Sequence, residues 1–433
     1  MIKRNNKKGF TIVELVIVIA VIAILAAVLI PTFAGIIKKA NLSADMQAVR
    51  QMNTALVADG AVTPTDIFEL HEVLAENGMT SEDYHPLTND TYFFWDADLN
   101  RVLHVDKDMI VIAPEEYKGQ AYSTTSKWYS LSLEIMEEKV DIKDGKATVA
   151  NGAQMQYVLN EIKDGKREVA ITVNGTIDMM GAAFNLPVFE ADKGYNISIA
   201  GTGAIKNVTA IDYAQEALSS KDGQDGVYDC ALIPTVAAGN TVTISNVTFE
   251  NLNVKNTNAS GVALLIGNIV GEATIENVTI NNSSVIGHRN TGALVGRVGG
   301  DDDGNKGKLT LKGTISLNNV DVMTVGGRSG MLVGINDTAT IDASAATIKL
   351  DDACSYGIYE CEQNKGVFDG ENLGLRDGIL YSYVTRYDDT AKDYINELDK
   401  KPYVANALVM VRDASNNFVV DTTTFAGKVQ GWN

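Results

Sequence analysis

One carboxylate in this 433-residue chain stands where a carboxylate is costly. Glu14 lies within Phe10 to Ile30, an apolar run whose one other polar member is Thr11. A charge about one turn inside a hydrocarbon layer costs roughly 2.5 kcal/mol or more unless it gains a partner or a proton, so an ionisable residue placed there points to function. No Lys, Arg or His lies within reach along the same helix after Phe10. A cut before Phe10 would create an α-ammonium that supplies the partner, on the same or a neighbouring copy. The other candidates for chemistry are weaker. Asp96, Asp98, Asn100 and Asp106 offer oxygen donors of the kind calcium takes, but Asp and Asn are also what turns between strands require for backbone reasons, and the turn is the expected use. Asp301, Asp303 and Asn305 imitate the first ligands of a calcium loop. Lys306 stands where that loop needs Gly and Lys312 where it needs Glu, which excludes it and leaves a solvated acidic loop. His104 alternates with apolar neighbours and reads as a surface or satisfied strand histidine. His71 and His85 have no partner at a useful spacing, and His288-Arg289 is an isolated loop pair. No catalytic residue, metal site or cofactor is expected from these types and spacings.

Composition sets the frame for the rest. The length exceeds a common single domain, and 45% hydrophobic with 21% charged residues excludes a disordered or coiled-coil chain. Lys plus Arg number 36 against 55 Asp plus Glu, a net charge of −19 that argues against nucleic acid as a partner. The charge is uneven, with six bases and one acid in residues 1 to 41 and eight bases against twenty acids in residues 42 to 150. A basic start on an acidic body suits a chain threaded out of the cytoplasm. Cys230, Cys354 and Cys361 are too few for a disulfide-built scaffold. Cys354 and Cys361 can close a small loop, but spacing alone does not settle connectivity.

The element that must position Glu14 is the apolar run itself. Lys3, Arg4, Lys7 and Lys8 precede it, and at ~1.5 Å per residue its length matches the ~30 Å hydrocarbon core of a bilayer. It exceeds the ~7–15 apolar residues of a secretory signal, and Pro31-Thr32-Phe33 offers no small-x-small cleavage site. The basic flank keeps the N-terminal end cytoplasmic. A retained membrane-spanning helix is expected.

Lys7-Lys8-Gly9-Phe10-Thr11-Ile12-Val13-Glu14-Leu15-Val16-Ile17-Val18 resembles the prepilin leader of type IV pilins and type II secretion pseudopilins. It has the basic leader, Gly before Phe, Thr-x-x-Glu-Leu and an unbroken Val/Ile/Ala helix with Pro31 near its end. The resemblance implies that a membrane-embedded prepilin peptidase cuts between Gly9 and Phe10 and that the Phe10 amine is N-methylated. It also implies that Glu14 pairs with the Phe10 amine of an adjacent subunit during filament assembly. The implied partners are that peptidase, other pilin subunits, and the membrane through residues 10–30. About 60 residues carry the resemblance, which makes residues 1–9 a leader, 10–60 the transmembrane and assembly helix, and 61–150 a pilin-like head.

Leu42, Met46, Val49, Met52 or Asn53, and Leu56 form one apolar stripe on the continuing helix, expected to pack on the head. Gly60 and Pro64 end it. Pro64 to Asn77 reads as a short helix, Thr91 to Asp96 and Arg101 to Asp106 as two strands joined by an Asp-rich turn, and Met109 to Ile112 as a third. The pilin resemblance implies a small antiparallel sheet here.

Internal repeats decide the remainder. Thr243-Ile244-Ser245-Asn246-Val247-Thr248 recurs as Thr274-Ile275-Glu276-Asn277-Val278-Thr279, and more loosely from Thr310 to Ile315. Each copy leads to a Gly-flanked aliphatic run, Gly261 to Gly267, Gly292 to Gly296 and Gly330 to Gly334. Asn196 to Gly201 and Lys206 to Thr209 resemble a degenerate first turn. Short Thr/Ile/Val strands punctuated by Asn and Gly suit coils that stack on one another. Ala153 to Ile162 is an amphipathic helix expected to close the open end of that stack. In residues 351–433, Thr390 to Leu398 reads as a helix, and Ala407 to Val411 with Asn417 to Val420 as a hairpin.

The expected architecture is an α+β pilin-like N-terminal module, a long helix on a small antiparallel sheet, followed by an all-β right-handed parallel β-solenoid. Residues 151–350 are the solenoid with its capping helix, and 351–433 a C-terminal cap or small accessory unit. The expected function is a type IV pilin-like subunit, of a minor kind because a large head packs poorly into every filament position. It would polymerise through its N-terminal helix and display the solenoid for adhesion to an unidentified surface ligand. Its place would be the cytoplasmic membrane before assembly and the cell surface or an extracellular pilus afterwards. It is not expected to be an enzyme. A pilin-anchored carbohydrate-active enzyme and a pseudopilin of a secretion system are the competing readings.

Overall fold

The computed structural model describes residues 12–58, 63–123, 125–184, 186–211, 229–256, 259, 261–287, 290–300, 304–324, 328–336, 339–351 and 353–358, with short strands beyond 374. Contacts divide the chain into two units, Met1–Ser132 and Leu133–Asn433.

In the first unit, helix α1 runs Ile12–Ala58. Its second half buries Asp45, Val49, Met52, Asn53, Ala55 and Leu56; of the predicted stripe Leu42 and Met46 are only half-buried, and Asp45 and Ala55 join it. Helix α2, Ile67–Glu76, starts where the Asp66 carboxylate accepts the backbone N–H groups of Phe68 (2.8 Å) and Glu69 (2.9 Å). An acidic N-cap satisfies donors that a helix start otherwise leaves open. Strands β1 (Thr91–Asp96), β2 (Arg101–Asp106), β3 (Val111–Ala113) and β4 (Trp128–Ser130) form one sheet in the order β3-β2-β1-β4. All its pairings are antiparallel, with Thr91 opposite Asp106 and Asp96 opposite Arg101. Phe93, Phe94 and Trp95 on β1 and Val102, Leu103 and Val105 on β2 are buried in succession. Both faces of the two central strands are therefore covered, unlike a sheet with one solvated side.

The second unit is a large β-rich region in which strands pair mainly in parallel with their counterparts from the next coil. Its first strand, β5 (Lys146–Val149), precedes helix α3 (Gly152–Lys163), and β6 (Glu168–Val173) and β7 (Thr176–Asp178) follow. Then come β8 (Asn196–Ala200), β9 (Ala204–Ile211), β10 (Asp229–Cys230) and β11 (Ile233–Val236). One full coil is β12 (Thr241–Ser245), β13 (Thr248–Asn256), β14 (Gly261–Ala263) and β15 (Ile266–Ile269). The next is β16 (Glu272–Glu276), β17 (Thr279–Gly287), β18 (Asn290–Gly292) and β19 (Val295–Val298). The third fuses its first two strands into β20 (Lys308–Thr324) before β21 (Arg328–Gly330) and β22 (Val333–Asn336), and β23 (Thr340–Leu350) and β24 (Ser355–Ile358) lie on β20.

The sequence repeat is the pairing register. Thr243 stands opposite Thr274 and Thr274 opposite Thr310, while Ile266 pairs with Val295 and Val295 with Val333. Inward side chains stack as Ile199, Ile244, Ile275 and Leu311 on one side and Phe249, Ile280 and Leu317 on the next, all essentially fully buried. Each such side chain contributes about 1.5–3 kcal/mol relative to exposure. Met155, Val158, Leu159 and Ile162 of α3 are likewise buried.

The coils bend at asparagines. Asn246 (φ 57°) and Asn277 (φ 50°) hold the first corner in the left-handed region, which Asn tolerates better than other residues with a Cβ. In the next coil that position is Gly313 (φ 60°), where a Cβ would lie 2.1 Å from the Asn277 Oδ1. A second left-handed column is Asn207, Asn251, Asn282 and Asn319, at φ 58°, 54°, 48° and 52°. Its carboxamides donate towards the N-terminal end of the stack. Asn207 Nδ2 reaches Asp178 Oδ1 at 2.8 Å, Asn251 Nδ2 reaches Asn207 Oδ1 at 2.7 Å and Asn319 Nδ2 reaches Asn282 Oδ1 at 3.0 Å. Asp178, whose carboxylate has no hydrogen of its own to donate onward, ends the column at one side, and at the other Asp351 accepts the Asn319 backbone N–H at 3.0 Å.

Beyond the parallel coils the tail contributes antiparallel strands. These are β25 (Leu375–Arg376), β26 (Ile379–Leu380), β27 (Tyr383–Asp388), β28 (Asp393–Asn396), β29 (Met410–Arg412) and β30 (Phe418–Val420). β27 pairs with β21, and β30 pairs with both β29 and β23, so the hairpin expected near the C-terminus is present and joins the stack. The helix expected from Thr390 to Leu398 is not formed at its centre. Asp393–Asn396 is a strand paired with β27, because nine residues are too few to sustain an isolated helix and a neighbouring edge favours Tyr394 and Ile395 as strand formers.

Replacing Asn251 by Leu should lower unfolding stability by about 2–3 kcal/mol, from the left-handed strain and the lost column bond, and by Gly only about 1 kcal/mol. Urea denaturation of the two variants beside the parent measures the difference.

Candidate functional site

Gly9 and Phe10, the expected processing residues, lie outside the described residues. Glu14 sits in the first described turn of α1 and is exposed, among Ile12, Val13, Leu15, Val16 and Ile17, which are 54% to 81% exposed. A carboxylate near a helix N-terminus is favoured by the helix dipole. Large exposed apolar side chains continue along this half of α1 to Ile37. The helix is long and apolar enough to cross a membrane, and no part of its most apolar window is buried within the protein.

The other half of α1 is fixed to the head by polar side chains that the apolar stripe does not reveal. Asp45 is buried, and its carboxylate accepts the backbone N–H of Leu87 at 2.7 Å and of Thr88 at 3.0 Å. Asn41 Nδ2 donates to Leu87 O at 2.9 Å. Asn53 pairs with one residue of β2 in both directions, accepting Val102 N–H at 2.8 Å and donating to Val102 O at 2.9 Å. β3 pairs with β2 only at His104 and Val105, so this carboxamide occupies the edge where β3 does not reach. The spacing of Asp45, Val49, Met52 and Leu56 is itself helical, and that was the available signal for the carboxylate.

The Asp-rich turn is used by the backbone. Asp96 Oδ1 accepts from Asp98 and Leu99 N–H, both at 3.0 Å, and Asp96 Oδ2 from Trp128 Nε1 at 2.8 Å. Asn100 Oδ1 accepts from Trp95 Nε1, and Asp106 Oδ1 from Asp108 and Ile110 N–H. Among the described residues no three His, Cys, Asp or Glu side chains gather as a metal site would need. Asp301, Asp303, His288 and Arg289 lie outside the described residues. His85 is exposed. His71 stacks on Tyr84 with ring centroids 4.5 Å apart and places Nε2 3.0 Å from Leu131 O, and burial pushes its imidazole down to about 4. His104 is neither at the surface nor satisfied. It is fully buried, and neither ring nitrogen has a hydrogen-bond partner. Strand alternation failed as a guide because both faces of β2 are covered.

Cys354 is a buried thiol that makes no disulfide, and Cys361 lies outside the described residues. Burial pushes the Cys354 thiol up to about 12, so it is a weak nucleophile. One further carboxylate was missed by sequence reasoning. Asp229 links coils, accepting from Thr235 Oγ1 at 2.7 Å and from Gly261 N at 3.0 Å, with Asn268 and Arg297 from the next two coils acting on it. Burial pushes it up to about 6 against the pull of those partners. Nothing in its local sequence marks it.

Residues 4–30 match the family model of the prokaryotic N-terminal methylation motif. The chain is 46% identical over 60 residues to a type IV major fimbrial protein FimA of Dichelobacter nodosus, covering 13% of this chain and 38% of that protein. It is 67% identical over 37 residues to the type IV wide pilus major component PilA4 of Thermus thermophilus, covering 8% of this chain and 28% of the relative. The chain thus spans 28% to 38% of the length of these curated relatives. A putative immunoglobulin A1 protease from Bacteroides ovatus overlaps 60% of this chain and 95% of its own at 13% identity, with a TM-score of 0.32, too loose a likeness to carry anything. The N-terminal segment, with its apolar helix and its carboxylate at residue 14, is similar to that of type IV pilins.

Two outcomes follow. Asn53→Leu should cost about 2–4 kcal/mol, since it leaves buried N–H and C=O groups of Val102 unpaired, and thermal unfolding of the purified chain checks it. Asp229 has a folded value above its ordinary 3.8, so its contribution is most favourable below that value and is lost as pH rises through about 6. Asp229→Asn, which keeps an acceptor oxygen but carries no charge to desolvate, should raise stability at pH 7.5 and leave it unchanged near pH 4 in paired melts.

Proposed function

We propose that this protein is a type IV pilin-like subunit, of the minor kind, that polymerises through α1 and carries a large β-rich body outward. The observation that supports it most is the methylation motif at residues 4–30 leading into a helix whose apolar first half has no cover of its own. A membrane first and a bundle of like helices afterwards are environments in which that surface leaves water. In this reading prepilin peptidase cuts between Gly9 and Phe10, Phe10 is N-methylated, and Glu14 meets the Phe10 amine of an adjacent subunit. The pairing removes the cost of a lone carboxylate in hydrocarbon and fixes the axial register of the incoming subunit. The four-stranded sheet of the first unit is a pilin head in kind, and the parallel coils of the second form a right-handed β-solenoid displayed for adhesion to a surface ligand. The protein is not an enzyme in this reading.

Mass spectrometry of the mature N-terminus should find a methylated Phe10. Glu14→Ala should abolish filament incorporation while leaving cleavage largely intact, and equal filament yield would sink the pairing. Immunogold labelling should mark sparse sites or tips; label along whole filaments would remove the minor role. New reducing ends after incubation with polysaccharides would favour a tethered enzyme instead.

A further inference from the structure

Three buried polar atoms without hydrogen-bond partners lie around one carboxylate at the seam between α1 and the sheet. They are His104 Nδ1, His104 Nε2 and Thr88 Oγ1, and the carboxylate is Asp45, whose Oδ2 is 4.0 Å from His104 Nε2. His104 is 0% exposed and Asp45 2%. From the geometry we infer that Asp45 and His104 form an acid-sensitive latch that holds the second half of α1 on the sheet.

The latch joins three separate segments of chain. Asp45 comes from α1, Thr88 from the segment before β1, and His104 from β2, with the Phe93 ring of β1 at 5.3 Å from the imidazole. Asp45 already uses both oxygens on the Leu87 and Thr88 N–H groups, which ties that segment to α1. At neutral pH the imidazole is uncharged and fills space, and its unbonded nitrogens are tolerated because a neutral ring loses only modest hydration. A proton taken up there makes a buried cation. Among the described residues the one charged group acting on it is Asp45. Thr88 and Phe93 bring no charge, and across the strand pair on β3 it faces Ala113. Burial lowers the imidazole below its ordinary 6.5, and the attraction of Asp45 only partly opposes this. The docked helix therefore resists a proton that the undocked helix accepts. The sign follows directly: docking is fully supported above about pH 6.5 and weakens as pH falls towards the lowered value, by up to about tenfold in the opening equilibrium per pH unit.

The seam is where a filament helix would transmit tension to the head, so its loosening in acid would change how the head is held without cutting the chain. This deepens the pilin-like reading but rests only on the packing of α1 against the sheet, and the test does not require filaments. Amide hydrogen exchange of the full chain in detergent micelles at pH 7.5 and pH 5.5, corrected for the intrinsic pH dependence of exchange, reads the opening of residues 45–56. The parent should open more at pH 5.5, by up to about tenfold, and His104→Leu should show no such change. His71→Gln, which removes the other lowered imidazole of this unit, should keep the response. A flat parent, or the same response in His104→Leu, overturns the latch. If His104→Leu does not fold, the ring carbon shifts of His104 in the labelled parent decide it: a ring still neutral below pH 6 supports the latch, and ordinary titration near 6.5 overturns it.

Discussion

The organising constraint is that half of a 47-residue helix has nothing among the described residues to lie against. Water ordered around that much apolar surface is a cost the molecule does not remove internally. The helix is therefore built for another solvent, and the polar features on it mark the transitions. Glu14 stands near the start of the unburied half. Asp45 and Asn53 mark the buried half, where the helix meets a sheet and must satisfy backbone groups that no strand reaches. The same element thus offers a greasy surface at one end and a set of directed hydrogen bonds at the other.

The second unit solves a different problem. A parallel coil cannot bury its inward side chains alone, and every strand needs a neighbour for its N–H and C=O groups. Repeating one coil answers both needs. Columns such as Ile199, Ile244, Ile275 and Leu311 fill the interior while the ladders run from coil to coil. The bends must also repeat, and the left-handed asparagines do this with carboxamides that bond along the column. Strands from the tail, β27 and β30, then pair antiparallel with the last coils and cover parts of edges that would otherwise invite another chain.

How much of this was legible depended on whether the cause was local. The register of the coils could be read because Thr-Ile-x-Asn-Val-Thr carries its own evidence: alternating inward aliphatics and an Asn at each corner. The Asp96 to Asp106 turns were legible for the same reason, since turn residues act on backbone two to four positions away. Asp45, His104 and Asp229 were not. Each is defined by burial against segments distant in sequence, and His104 was misread because an alternating strand was assumed to have one wet face. The segment around Asp393 was misread because an edge strand supplied by β27 outweighed a weak helical pattern.

By itself the sequence determined the apolar helix with its carboxylate, the basic residues before it, the strands and their corners, and the order in which coils follow. These depend on consecutive side chains and on periods of two, about four and about thirty residues. Tertiary structure alone decided which polar groups are sealed from water, where α1 stops facing outward and starts to be held, and how the tail joins the stack. Those outcomes arise from the sum of surfaces brought together by folding, and a buried charge or an unpaired imbalance of donors exists only once that surface is closed.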